Sequence, residues 1–208
     1  ATPATLADPL LSLLADTARA QRDLELAERL LAERVRRVVE GPDPVARWGA
    51  LFDLARLRAG RGKFLEAREE LQRLLASRPA TFLPPRTRKD DGPGTAAFFA
   101  RVRFNLGAVL EKLGELDAAA AEFERVAAGR VGPSGLATLQ RARLELRRGR
   151  LDVAEQLLLR PSVAREPGRI EGTLLLVSRR AEKGDAAGAA RALAPLEARG
   201  ARLPEPWR

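Results

Sequence analysis

The chain has 208 residues and a formal net charge of +9, from 37 Lys and Arg against 28 Asp and Glu, with no His, Cys, Tyr or Met. Without imidazole or thiol, the usual zinc sites, thiol redox centres and Ser-His or Cys-His nucleophile pairs cannot be assembled, which disfavours catalysis from the outset. The apolar fraction of 45% predicts a folded chain, and because it is mostly Leu and Ala, with aromatics at 4%, it predicts helices rather than strands.

A first unit is predicted over 8–38. Asp8-Pro9 offers an N-capping carboxylate followed by proline in the first helical position. Leu14 and Ala15 precede a turn at Arg22, and Leu24, Ala27 and Leu31 follow it. A second unit, 44–77, opens in the same way at Asp43-Pro44 and carries Leu54 and Ala55 before a turn at Gly62, then Phe64, Ala67 and Leu71. Gly60-Arg61-Gly62-Lys63 looks like part of a phosphate loop, but it lacks the full glycine spacing and a Ser or Thr after Lys63, so it reads as a helix–helix turn.

An insert loop follows over 79–94, with Phe82 and Leu83 as an apolar anchor and Arg86, Arg88 and Lys89 as its charges. Loops of this length are uncommon inside compact domains, so it reads as a solvated loop or as a clasp on a partner. The third unit, 95–129, has Thr95 as candidate cap, Leu106-Gly107 before Gly114, and Leu116, Ala119 and Phe123 after it. The fourth, 134–160, has Ser134 as candidate cap, Arg141-Ala142 before Gly149, and Leu151, Ala154 and Leu158 after it, with Pro161 truncating its second helix. In the fifth, 170–199, Leu176-Val177 precede Gly184, Ala186, Ala189 and Leu193 follow, and Pro195 falls inside the second helix, where it is expected to kink it. A tail, 201–208, carries Trp207. The last helix of a helical repeat array needs a polar cap, so the tail reads either as that cap or as part of an end that self-associates.

The anchor alanines Ala27, Ala67, Ala119, Ala154 and Ala189 are separated by 40, 52, 35 and 35 residues, the insert accounting for the longest interval. Helix, glycine turn and antiparallel helix recur in each unit, the small alanine letting the two helices approach and the bulky residue one turn later filling the gap. This pattern resembles the tetratricopeptide repeat (TPR) family. Asn105-Leu106-Gly107, Gly114, Leu116, Ala119 and Phe123 stand where the family's Leu-Gly, turn glycine, alanine and aromatic positions fall, and Pro79 stands at its terminal proline. The family's Tyr and Trp positions are mostly Leu, Arg or Ala here, and Arg141 replaces an expected leucine.

The resemblance implies an all-α fold, a right-handed α-solenoid of about five TPR-like hairpins, forming one domain over 1–208. In that family the first helix of each pair lines a concave groove, which would place Phe52, Arg56, Arg101, Phe104, Asn105, Ala108, Lys112, Arg143 and Arg147 on the groove wall. Arginine mixed with aromatics suits a peptide or helix of acidic character. The Lys/Asn clamp that some family members apply to chaperone C-termini is not reproduced. No cofactor or metal is expected. The function implied is a protein-interaction scaffold or adaptor within a larger bacterial assembly. Alternatives are a nucleic-acid-binding or regulatory repeat using the positive field, and a self-assembling structural protein. Arg141, Arg143, Arg147, Arg148 and Arg150 form a basic run that could grip phosphates, but on a helix they spread over several faces and few aromatics accompany them, so nucleic acid is disfavoured. No apolar run reaches the roughly 20 residues that span a bilayer and no secretory leader opens the sequence, which begins Ala-Thr-Pro and reads as processed or excised. Lack of cysteine suits oxidising and reducing compartments alike, so localisation stays open.

Overall fold

Leu- and Ala-rich segments punctuated by Gly, Pro and Asp form only helices in the computed structural model, which describes residues 3–39, 41, 43–77, 94–129, 131–164, 166 and 168–197. In chain order these are α1 (Pro3–Ala20), α2 (Leu24–Val38), α3 (Pro44–Gly60), α4 (Phe64–Ala76), α5 (Thr95–Lys112), α6 (Leu116–Ala127), α7 (Ser134–Arg147), α8 (Leu151–Leu158), a 3₁₀ turn (Pro161–Val163), α9 (Arg169–Glu182) and α10 (Ala186–Glu197). They divide between two compact units, Ala1–Glu122 and Phe123–Arg208.

Each predicted hairpin forms around its predicted turn. Gly62, Gly114, Gly149 and Gly184 take φ of 79°, 81°, 73° and 75°. The amide after each closes on the carbonyl five residues back, Lys63 on Arg58, Glu115 on Leu110, Arg150 on Glu145 and Asp185 on Arg180, all at 2.9 Å. This is the six-to-one bond that ends a helix through a left-handed residue. Arg22 takes the same place in the first hairpin with φ 62°, and Asp23 bonds to Ala18 at 2.9 Å. A side chain in the left-handed region is held against a steric penalty of about 1–2 kcal/mol. Arg22→Gly is therefore expected to raise stability by about 0.5–1 kcal/mol, once the greater freedom of glycine in the unfolded chain is subtracted. A urea midpoint that stays put or falls would refute this.

Helix starts differ from expectation at three places. α1 begins at Pro3, so Pro9 lies inside the helix and Asp8 does not mark its start. Thr95 and Ser134 are the first residues of α5 and α7 rather than caps, the cap positions being Gly94 and Pro133. Asp43 does cap α3, accepting from the Val45 amide at 2.8 Å with Pro44 in the first turn. Asp23 caps α2 through the Leu26 amide at 2.9 Å, and Asp185 accepts from the Gly188 amide at 2.8 Å at the start of α10. α8 stops at Leu158, ahead of Pro161, and α10 continues through Pro195.

The anchor alanines Ala27, Ala67, Ala119 and Ala154 are fully buried, and so are Leu71, Phe123 and Leu158 one turn on. Ala189 and Leu193, at the same places in the fifth hairpin, are only half-buried.

Charged residues tie hairpin to hairpin. Glu28 on α2 is buried, yet it accepts from Arg58 at 3.3 Å, from Lys63 at 2.9 Å and from Arg61. The Gly60–Lys63 stretch is thus a structural turn whose cations are engaged. One hairpin further on the polarity reverses, with Arg68 on α4 bonding Glu115 at 2.8 Å. Burial pushes the Glu28 carboxyl up, but Lys63, Arg58 and Arg61 outweigh it and hold the group below its ordinary value of 4.5. A folded-state value below the unfolded one means stability that is present above pH 4.5 and lost as pH falls through the folded value. Urea midpoints followed down through that range are expected to fall more steeply for the native chain than for Glu28→Gln; equal slopes would exclude the cage as a source of acid lability.

Candidate functional site

Two first helices of neighbouring hairpins, α3 and α5, lie in the Ala1–Glu122 unit and meet through aromatic rings. Trp48 stacks on Phe98 with centroids 6.4 Å apart and meets Phe99 edge-on at 5.2 Å. Phe52 meets Phe98 edge-on at 5.4 Å. Phe99 and Trp48 are buried, whereas Phe98 and Phe52 are half-buried and remain on the surface. The Arg56 guanidinium lies 5.8 Å from the Phe52 ring centroid, a cation–π contact that fixes its position above the ring.

The helical period sets six of the predicted residues, Phe52, Arg56, Arg101, Asn105, Ala108 and Lys112, on two matching stripes. On α3, Val45, Gly49, Phe52 and Arg56 follow at spacings of four, three and four; on α5, Arg101, Asn105, Ala108 and Lys112 do the same, with Phe98 one turn before them. Phe104 is half-buried and lies about a fifth of a turn off that stripe. Asn105 turns its amide back on the Arg101 carbonyl at 2.8 Å. Arg56, Arg101 and Lys112 are exposed, and among the described residues no carboxylate bonds to any of them. At the amino ends of α3 and α5, Val45, Trp48, Gly49, Thr95 and Phe98 line an apolar recess of about 220 Å³.

The remaining candidates lie elsewhere. Arg143 and Arg147, on α7, belong to the Phe123–Arg208 unit, and Arg143 bonds Glu171 at 3.2 Å. Its neighbours in the basic run are engaged as well: Arg141 by Glu124, Arg148 by Glu145 at 3.6 Å and Arg150 by Glu145. Phe82, Leu83, Arg86, Arg88 and Lys89 of the insert, and the 201–208 tail with Trp207, fall outside the described residues. Trp48 and Phe98 are missing from the sequence-derived set although they build the recess. Their signal was an aromatic at the start of two successive first helices, with Trp48 one turn before Phe52.

Within the second unit, Arg180 on α9 is buried and donates to Asp152 at 2.7 Å, to Glu155 at 2.6 Å and to Asp185. It stands four residues before Gly184, as Arg58 does before Gly62, and each reaches a glutamate that follows the anchor alanine of the preceding hairpin. Among the described residues no helix is long and apolar enough to cross a membrane.

No family model and no curated protein matches the chain. Solved structures match over most of its length. MamA from Desulfovibrio magneticus RS-1 is 19% identical with a TM-score of 0.66, covering 92% of this chain and 93% of that one. YrrB, described as a TPR protein with an unusual peptide-binding site, is 15% identical with a TM-score of 0.61, covering 88% and 81%. A tetratricopeptide repeat protein from Parabacteroides merdae ATCC 43184 is 16% identical with a TM-score of 0.67, covering 92% and 68%. Likeness at these identities establishes architecture alone, and the architecture is that of the tetratricopeptide repeat: an all-α helical-repeat solenoid.

Proposed function

We propose that the chain is a protein–protein interaction scaffold whose α3–α5 face holds an acidic peptide segment of a partner. The observation that carries this reading is the set Arg56, Arg101 and Lys112: three exposed cations without carboxylate partners among the described residues, Arg56 lying over the half-buried Phe52 ring. Arg58, Arg143 and Arg180, by contrast, are bonded to carboxylates of their own molecule. Cations left without a partner next to aromatic surface suit an incoming carboxylate and the apolar carbon around it. The peptide-binding site named for YrrB, which shares the fold, supports the same class of activity.

The test is fluorescence anisotropy with labelled acidic peptides at low and moderate salt, on the native chain and on the triple variant Arg56→Glu, Arg101→Glu, Lys112→Glu. At about 0.5–1 kcal/mol for each exposed charge, the reversal is expected to weaken binding about tenfold or more while leaving the helical circular dichroism unchanged. Undiminished affinity in the triple variant would exclude this face.

A further inference from the structure

The α3–α5 face has a direction. The apolar recess lies at the amino ends of the two helices, and the cations follow in order along α5 from Phe98 through Arg101 to Lys112. At a rise of about 1.5 Å per residue, Arg101 stands about 4–5 Å and Lys112 about 21 Å beyond Phe98 along the axis. An extended peptide advances about 3.3 Å per residue. The recess, about 220 Å³, is smaller than the roughly 300–1,000 Å³ of ordinary small-molecule sites and suits a single side chain.

We infer that the segment held on this face carries one bulky apolar side chain seated in the Val45–Trp48–Gly49–Thr95–Phe98 recess, one acidic residue one or two positions along, and a second about six positions along. This rests on the peptide-binding reading and specifies the ligand. Charge complementarity selects the occupant. A second copy of the chain would bring its own net charge of +9 against the cationic stripe. A nucleic-acid strand needs open ring faces on which bases can stack, whereas Trp48 is 4% exposed and already covered by Phe98 and Phe99. An acidic peptide with an apolar anchor uses both halves of the face, the anchor gaining burial and the carboxylates meeting cations that have none among the described residues.

Gly49 supplies the means to block the recess without breaking the fold. A Cβ built on it meets nothing closer than the Arg34 Nη2 at 3.9 Å, and it lies within α3, where a side chain favours the helix. The experiment uses the full chain carrying Trp207→Phe, so that Trp48 becomes its only tryptophan. Its emission is followed while synthetic ten-residue peptides are added: one with leucine as anchor and aspartate two and six positions later, one with the anchor changed to alanine, one with both aspartates changed to asparagine, and one in reverse order.

The first peptide is expected to shift the Trp48 emission saturably. Losing the anchor, or introducing Gly49→Leu, is expected to weaken binding about tenfold or more. Losing the aspartates is expected to weaken it and to remove its salt dependence. Binding that depends on the aspartates but is indifferent to the anchor, to Gly49→Leu and to the order of the sequence would overturn this inference and leave the acidic-peptide reading standing. No binding by any of the four peptides would overturn both. An emission change that follows protein concentration without peptide would assign the recess to a second copy and overturn the inference likewise.

Discussion

Phe99→Ala is expected to destabilise the Ala1–Glu122 unit by about 3–5 kcal/mol, the range for truncating a buried phenylalanine. The ring is 1% exposed and has little room to relax: Trp48 meets it edge-on at 5.2 Å and Phe98 at 5.4 Å, with interplanar angles of 71° and 84°. Removing it leaves a cavity where α3 and α5 join and forfeits the edge-to-face contacts, which add about 0.5–1.5 kcal/mol beyond burial. The measurement is the urea midpoint followed through Trp48 fluorescence in the Trp207→Phe background. Phe99→Leu, which keeps most of the volume, should recover much of the loss. A change under about 1 kcal/mol for the alanine variant would show that α3 and α5 are not held together through this ring.

Arg180→Met is expected to destabilise the Phe123–Arg208 unit by about 2–4 kcal/mol. Removing one partner of a buried ion pair typically costs about 3–5 kcal/mol, because the other charge is stranded. Here that applies in part to Glu155, whose side chain is 14% exposed and keeps Arg191 at 3.7 Å, while Asp152 at 86% can return to water; both lower the figure. Asp185 also loses the guanidinium that steadies it at the head of α10, although it keeps the Gly188 amide. The loss belongs chiefly to the Glu155 carboxylate, so the double variant Arg180→Met, Glu155→Leu should restore most of the stability. Chemical unfolding of the two single variants and the double variant closes the cycle; additive losses would show that Arg180 and Glu155 act independently.

What could be read in advance was what the backbone imposes. A helix that ends through a left-handed residue needs glycine there or tolerates a strained substitute, so Gly62, Gly114, Gly149, Gly184 and even Arg22 marked the hairpins before any packing was known. The alanines recur because helix–helix approach admits nothing larger at those points. Helix starts were less legible: a proline after an aspartate signals a start only where the preceding residues decline to be helical, which holds at Asp43 and fails at Asp8.

The surface was only half legible. The stripes containing Phe52 and Arg56, and Arg101 to Lys112, follow from the helical period alone. Which cations remain available does not, because partners such as Glu171 for Arg143 or Glu28 for Arg58 come from other hairpins. The recess shows the same limit. Trp48 and Phe98 are 50 residues apart in sequence and become one surface only when α5 packs against α3 across the insert.

The reversal of polarity between Glu28–Lys63 and Arg68–Glu115 also bears on how such a chain can be rearranged by gene duplication or loss. Deleting the α3–α4 hairpin would bring Glu28 against Glu115, two carboxylates. Duplicating it would bring Arg68 against the copied Lys63, two cations. Either edit replaces an attraction by a repulsion at the new junction, so these three hairpins are not interchangeable bricks: their serial order is encoded in the signs of the charges that join them.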